Sequence, residues 1–227
     1  MTNENTVYLN PDTLHPFENN PFQSVDEKEY DELRDSIQEF GIITPLIVNK
    51  TNGSYEIISG HRRWQIAREL KLDVVPVYVR DFSKEEAVIN FVDSNLCREK
   101  ILPSEKARAY KMKHDAIKKQ GARTDLTSSQ VGTKFRSDEI LAETMPDSRM
   151  QIQRYIRLNN LQQPLLDMVD EGRISFTPAV ELSYLTEEEQ RNLIETIESE
   201  DCTPSLSQAQ RMSVFFVQAV REIFFMK

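Results

Sequence analysis

Hydrophobic positions in the first hundred residues switch repeatedly between a strand period and a helix period. Val7-Tyr8-Leu9 is a short β-favouring run, after which Tyr30, Leu33, Ile37 and Phe40 recur at helical spacing, with Gly41 placed to end that helix. Ile42 to Val48 and Tyr55 to Ile58 read as strands joined at Asn52-Gly53, a dipeptide suited to a tight hairpin turn. His61 to Lys71 reads as a helix with Trp64, Ala67 and Leu70 on one face. Val74 to Val79 is a further strand, and Pro76, lacking an N–H, predicts an edge or irregular position for it. Ser83-Lys84-Glu85-Glu86 has capping-box form and opens a helix through about Phe91. Residues 1–100 are therefore expected to form a small mixed α/β domain.

From Pro103 onward the pattern is helical throughout. Ser104 is placed to cap a helix running to about Gln120, with Gly121 ending it, and the polar residues 121–136 read as a loop or hinge. Ser137 then caps a short helix to about Thr144, and Met145-Pro146-Asp147 breaks the pattern. Asp147 or Ser148 caps a helix from Arg149 to Asn159 with Ile152, Tyr155 and Ile156 inward. Pro164 starts a helix ending at Gly172, Thr177-Pro178 starts the next, and Thr186-Glu187-Glu188-Glu189 caps another. Residues 101–210 thus form an all-α domain, giving an α+β chain. In 211–227, Met212, Phe215, Phe216, Ala219, Val220, Ile223 and Phe224 make an apolar helical stripe that needs a domain or partner to cover it.

Charge changes the picture more than composition does. The net charge is −9, which taken alone argues against nucleic acid. Residues 98–159, however, carry 14 basic and 8 acidic side chains, between two acidic flanks. DNA responds to the field within a Debye length of ~8–10 Å, so a basic middle is compatible with DNA contact; a solvated basic helix accounts for the same charges. Two widely separated cysteines without metal-like spacing fit a reducing cytoplasm. The N-terminus has no signal pattern, and Val214 to Met226 is too short and too interrupted to span a bilayer. The expected location is cytoplasmic and nucleoid-associated, without membrane contact.

Two constellations carry candidate chemistry. Gly60-His61-Arg62-Arg63 stands where a strand passes into a helix: glycine admits close backbone approach, first-turn N–H groups favour phosphate, and the arginines add guanidinium forks. Two surface arginines beside a helix cap would read the same way. The second is a helix-turn-helix at about 137–159, whose second helix offers Arg149, Gln151, Gln153 and Arg154 as outward positions and carries no acidic residue from Ser148 to Asn159. Arg and Gln present paired groups for guanine and adenine edges, Ser148 suits a phosphate contact, and Lys134 and Arg136 suit backbone contacts. A helix pair packed in a bundle is the alternative. His15, His114, Cys97 and Trp64 read as loop, partly packed, structural and core residues respectively.

The runs Gly41-Ile42-Ile43-Thr44-Pro45-Leu46-Ile47-Val48, Tyr55 to Trp64, and Asn95-Leu96-Cys97-Arg98-Glu99 with Leu102 to Ala107 resemble the successive boxes of the ParB/RepB-type partition family, and Asn20-Pro21-Phe22-Gln23 resembles the segment before them. Tyr155-Ile156-Arg157-Leu158 is similar to the end of that family's recognition helix. The resemblance implies a ParB/sulfiredoxin-like N-terminal domain, a helix-turn-helix DNA-binding domain and recognition of a parS-like centromere site. It further implies a dimeric clamp regulated by CTP with Mg2+, and a ParA-type ATPase partner. By position, Gln23, Gly60, His61, Arg62, Arg63, Asn95, Arg98 and Glu99 would hold the nucleotide, with Asn95 also on the metal.

The chain departs from the family pattern at His61 and Ser94, where Glu is usual, and at Val25, where Arg is usual. The change at Ser94 removes a hard oxygen ligand and the change at Val25 a phosphate partner, so weak CTP hydrolysis is the implied activity and no catalytic residue is assigned. A transcriptional or nucleoid-occlusion regulator of the same family would share these features. A ParB-like nuclease would need clustered carboxylates, and sulfiredoxin chemistry would need a cysteine where Gly60 stands.

Overall fold

The computed structural model describes residues 5–22, 27–51, 53–98, 100–125 and 147–212. These fall into two compact units, one comprising residues up to Ile101 together with those from Met112 in the long helix, the other Leu102–Lys111 together with those from Asp147 onward.

The first unit is a five-stranded mixed sheet with helices. Its strands are β1 (Val7–Leu9), β2 (Leu14–His15), β3 (Leu46–Thr51), β4 (Ser54–Ser59) and β5 (Val75–Arg80), in the order β1-β5-β3-β4-β2. β3 and β4 form the expected hairpin, with Thr51 opposite Ser54 and Gly53 at φ 89°. The strand expected from Ile42 begins only at Leu46. Ile43 is exposed, and Pro45 directly before the strand has no ladder donor to give. The edge position expected for Val74–Val79 is also corrected. β5 lies between β1, antiparallel, and β3, parallel, and Pro76 stands opposite Tyr8 on a three-residue strand, where few ladder bonds are at stake.

Four helices belong to this unit in whole or part: α1 (Glu27–Phe40), α2 (His61–Glu69), α3 (Lys84–Leu96) and α4 (Pro103–Asp125) from Met112 on. Gly41, at φ 69°, donates its N–H to the Ile37 carbonyl and ends α1 as the pattern predicts. Ser83 and Glu86 close a full capping box on α3, and the bonds they form hold the Glu86 carboxyl below its ordinary range. The core gathers Leu46, Val48, Ile57, Val75 and Val77 of the sheet against Trp64 and Ala67 of α2. Trp64 is core as expected, its indole N–H donating to the Pro11 carbonyl at 2.8 Å. In α4, Lys113 is 1% exposed and its Nζ pairs with Asp93 Oδ1 at 2.6 Å. One cation of the basic stretch is thereby consumed inside the fold.

The second unit is all helical: the start of α4, then α5 (Arg149–Leu158), α6 (Gln163–Asp170), α7 (Phe176–Leu182), α8 (Glu187–Glu200) and a last helical segment at 206–212. Leu158, Leu165, Ile174, Ala179, Leu182 and Ile197 are among the side chains of its core. Thr186 and Glu189 form the capping box expected on α8. Ser104 does not cap α4. The helix starts at Pro103, and Asp170 accepts from both the Ser104 N–H and hydroxyl, placing a carboxylate at the positive end of the helix. Nor does Gly121 end α4, which continues to Asp125. The helix expected at 137–144, the rest of the 121–136 loop, and the stripe beyond Met212 lie outside the described residues.

Candidate functional site

The Gly60–Arg63 segment sits at the junction of β4 and α2, as its sequence suggested. Gly60 is the N-cap at φ 104°, and a Cβ there would stand 2.8 Å from Leu46 Cγ and 3.1 Å from an Arg63 amino nitrogen. Glycine is therefore required both by the left-handed backbone and by packing beneath it. α2 has no side-chain cap and no acidic residue in its first turn, unlike α3 and α8 with their capping boxes. Its first N–H groups and positive dipole end favour an anion.

The three side chains that follow are each committed. His61 is 8% exposed, and its Nε2 accepts from the Phe17 N–H at 3.1 Å, which places the ring proton on Nδ1. Phe17 and Phe91 stack at 3.9 Å, with His61 edge-on to Phe91 at 5.6 Å. Burial, reinforced by the nearby Arg98 charge, pushes the imidazole down to about 4, so it is neutral at physiological pH. Arg62 pairs with Glu29 of α1 at 3.2 Å. Arg63 donates to the Thr44 and Pro45 carbonyls, and burial lowers the pKa of its guanidinium.

The C-terminal end of α3 adjoins this junction. The Ser94 hydroxyl donates to the Phe91 carbonyl at 2.9 Å and approaches the Ile58 carbonyl at 3.3 Å. Asn95 is buried and donates through Nδ2 to the Phe91 carbonyl at 2.8 Å. Arg98 lies over the Phe22 ring at 5.6 Å. Gly60, His61, Arg62, Arg63, Asn95 and Arg98 thus come from two neighbouring helix ends, while Gln23 and Glu99 lie outside the described residues. Among the described residues no cluster of His, Cys, Asp or Glu is arranged to hold a metal ion. Of the Asn95 amide, Nδ2 is bonded to the Phe91 carbonyl, and Oδ1 is the oxygen it would offer to Mg2+. A separate cavity of about 580 Å³ in this unit is lined by Phe17, Asn49, Glu56, Phe82 and Lys84 among others. Both ends of the Asn49 amide are already bonded to the Phe82 backbone.

In the second unit, α5 opens on Ser148, whose hydroxyl accepts from the Gln151 N–H at 3.3 Å. Asp147 leaves the capping role to it and instead accepts from Lys106 at 2.6 Å and from the Tyr110 hydroxyl. Burial opposes ionisation of Asp147, but these two bonds and the lysine charge prevail and hold its carboxyl below the usual range; burial and the same carboxylate push the Tyr110 phenol up. The start of α5 is thus pinned to α4.

The outward face of α5 differs from the expected set. Met150 is 74% exposed and Gln153 is exposed, whereas Arg149, Gln151 and Arg154 are half-buried. Arg154 donates to the Thr177 hydroxyl at 3.1 Å and lies over Phe176 at 5.2 Å. Met150 carries no polar signal in the sequence, and Arg157, half-buried like Arg149 and Arg154, stands out only by its helical angle. Spacing of three and seven residues from Met150 would have placed Gln153 and Arg157 on one face with it. Lys134 and Arg136 lie outside the described residues.

The ParB N-terminal domain model matches residues 1–96, and the ParB HTH domain model matches residues 99–208. The chain belongs to the ParB family. Among curated ParB relatives it is 32% identical over 159 residues to the probable chromosome 1-partitioning protein of Deinococcus radiodurans, covering 70% of this chain and 49% of that protein. It is 34% identical over 164 residues to stage 0 sporulation protein J of Bacillus subtilis, covering 71% and 51%. The chain spans about half the length of these relatives. The fold is shared with a C-terminally truncated ParB from Caulobacter crescentus, solved in complex with the centromeric parS site, at a TM-score of 0.52 and 18% identity over 91% of this chain and 98% of that one. The α+β reading, a ParB-type N-terminal domain followed by a helical ParB HTH domain, is confirmed. Among the described residues no helix is long and apolar enough to cross a membrane.

Proposed function

We propose that this chain is a sequence-specific DNA-binding partition protein that uses α5 as a recognition helix on a parS-like duplex site. The observation that carries the reading is α5 itself, a helix with three arginines and no acidic residue, presented by a Ser148 cap and fixed at its start through Asp147 to Lys106 and Tyr110. Arg and Gln on such a helix suit base edges in the major groove, and the basic stretch around it supplies phosphate attraction. The Caulobacter relative's complex with parS, and the partition role named for the Deinococcus relative, support the same reading. Self-association as a dimer, a ParA-type ATPase partner and a nucleoid location follow from it as parts of the proposal.

The finer part of the proposal is nucleotide control through the first unit. The uncapped start of α2, with Arg62, Arg63 and Arg98 around it, suits the phosphates of CTP. Engagement of Arg62 with Glu29 and of Arg63 with two carbonyls means that nucleotide competes with bonds the fold already makes. When bound with the nucleotide, Mg2+ would neutralise phosphate charge, with its ligands drawn mainly from phosphate and water. This chain's residues bind and orient; neutral His61 supplies no charge, and weak hydrolysis is expected.

The test is selection of duplexes from a randomised library by the full chain, followed by affinity for the enriched and a scrambled duplex. Enrichment of one sequence family, lost in Arg149→Ala, supports DNA recognition, and absence of any enrichment overturns it. Calorimetry with CTP, ATP and GTP, with and without Mg2+ and the enriched duplex, tests the switch. No binding of any nucleotide under these conditions overturns that part alone.

A further inference from the structure

α5 presents a stripe that the functional reading above does not use. Met150, Gln153 and Arg157 are three and four residues apart, so they share one face. Met150 opens it with 74% of its surface exposed, the most exposed large apolar side chain of this unit among those described. An unbranched thioether left in water in the first turn gains nothing for the fold, and its flexibility suits an irregular apolar surface.

Arg157 closes the stripe in an unusual state. Its guanidinium carbon lies 3.7 Å from the Tyr184 ring centroid, and Tyr184 is itself 51% exposed. The Arg157 Nε is enclosed and has no hydrogen-bond partner, and among the described residues no carboxylate pairs with this side chain. A fold gains little from holding a cation in this way, because a donor left unmatched costs stability and stacking recovers only part of it. The arrangement does fix the plane of the guanidinium. A cation held in place, with no carboxylate partner among the described residues, on a helix without acidic residues is complementary to a phosphate oxygen.

We propose that the Met150–Gln153–Arg157 stripe extends the DNA-reading surface that Arg149 begins, with Met150 contacting a base edge and Arg157, held on Tyr184, binding a backbone phosphate. The expected base contact for Met150 is the thymine methyl group, the apolar feature of the major groove. The phosphate contact fixes the register in which Met150 and Gln153 meet their bases but does not itself read sequence. Arg154, drawn onto Thr177 and Phe176, then serves mainly to join α5 to α7.

This inference rests on the DNA-binding reading, and one experiment separates the two. The probes are the duplex enriched by the full chain and a scrambled duplex, titrated by fluorescence anisotropy over a range of salt concentrations. Arg157→Gln should weaken both duplexes by a similar factor, on the order of tenfold, and flatten the dependence of log affinity on log salt by about 0.9, one phosphate's worth. Arg157→Lys keeps the cation and should restore the slope. Met150→Ala should weaken the enriched duplex about fivefold or more, leave the scrambled one unchanged, and relax the preference for thymine in a repeated selection. A wild-type slope in Arg157→Gln, a slope in Arg157→Lys as shallow as in Arg157→Gln, or an unchanged specificity ratio in Met150→Ala overturns the stripe. If the wild-type chain enriches no duplex, the DNA-binding reading falls with it.

Discussion

Replacing His61 by glutamine should remove an acid sensitivity from the first unit. In the folded chain the ring is enclosed by Phe17 and Phe91, and its Nε2 accepts from a backbone N–H, so it stays neutral down to about 4 against an ordinary value of 6.5. Between those two pH values the unfolded chain binds a proton that the folded chain refuses, so stability falls as pH is lowered through the window. At 1.36 kcal/mol per pH unit the whole window is worth about 3 kcal/mol, of which about 2 kcal/mol is lost between pH 7 and pH 4.5. Glutamine keeps an oxygen for the Phe17 N–H and has nothing to protonate. The assay is urea unfolding at both pH values, followed by the fluorescence of Trp64, the single tryptophan and a residue of the same helix. Carboxylates titrate in wild type and variant alike, so the difference between the two pH effects isolates His61. Equal losses in both proteins, or an imidazole that titrates near 6.5 by NMR, would refute the reasoning.

Three further outcomes follow from the packing. Gly60→Ala combines a φ of 104° with a Cβ 2.8 Å from Leu46, and should cost about 3 kcal/mol in the same Trp64 assay. Asp93→Ala, which removes the ion pair made by buried Lys113, should cost about 3 kcal/mol, whereas Lys113→Met should be close to neutral in thermal unfolding. Asp147→Asn should lower the melting temperature at pH 7 and weaken DNA binding, because the start of α5 loses its charged tie to Lys106. The contribution of Asp147 is present above the unfolded carboxylate value and lost as pH falls through its lower folded value, so wild type and variant should converge in acid.

Local signals carried the parts of the fold that depend on neighbours in sequence. The Asn52-Gly53 hairpin, the Gly41 terminus and the boxes at Ser83 and Thr186 are each set within a few residues and were legible. The interior position of β5 was not. Pro76 advertises an edge, while its flanking strands are supplied by Val7–Leu9 and Leu46–Thr51, far along the chain. The start of α4 was misread for the same reason, since its capping carboxylate is Asp170. At the α2 junction the glycine and arginines were visible as types, but the inward turn of His61 depends on Phe17 and Phe91. On α5, composition showed a basic helix, yet the roles of its arginines emerge only once Phe176 and Thr177 have claimed Arg154 and Tyr184 has fixed the plane of Arg157.

The central claim is that this chain distinguishes one DNA sequence from another through α5. The most direct measurement is the ratio of affinities for the enriched and scrambled duplexes at near-physiological salt, for the wild-type chain and for Arg149→Ala. The account predicts a wild-type preference of roughly a thousandfold or more, collapsing in the variant while its fold is retained. Equal affinity of the wild-type chain for both duplexes, or a preference untouched by the substitution, would contradict it.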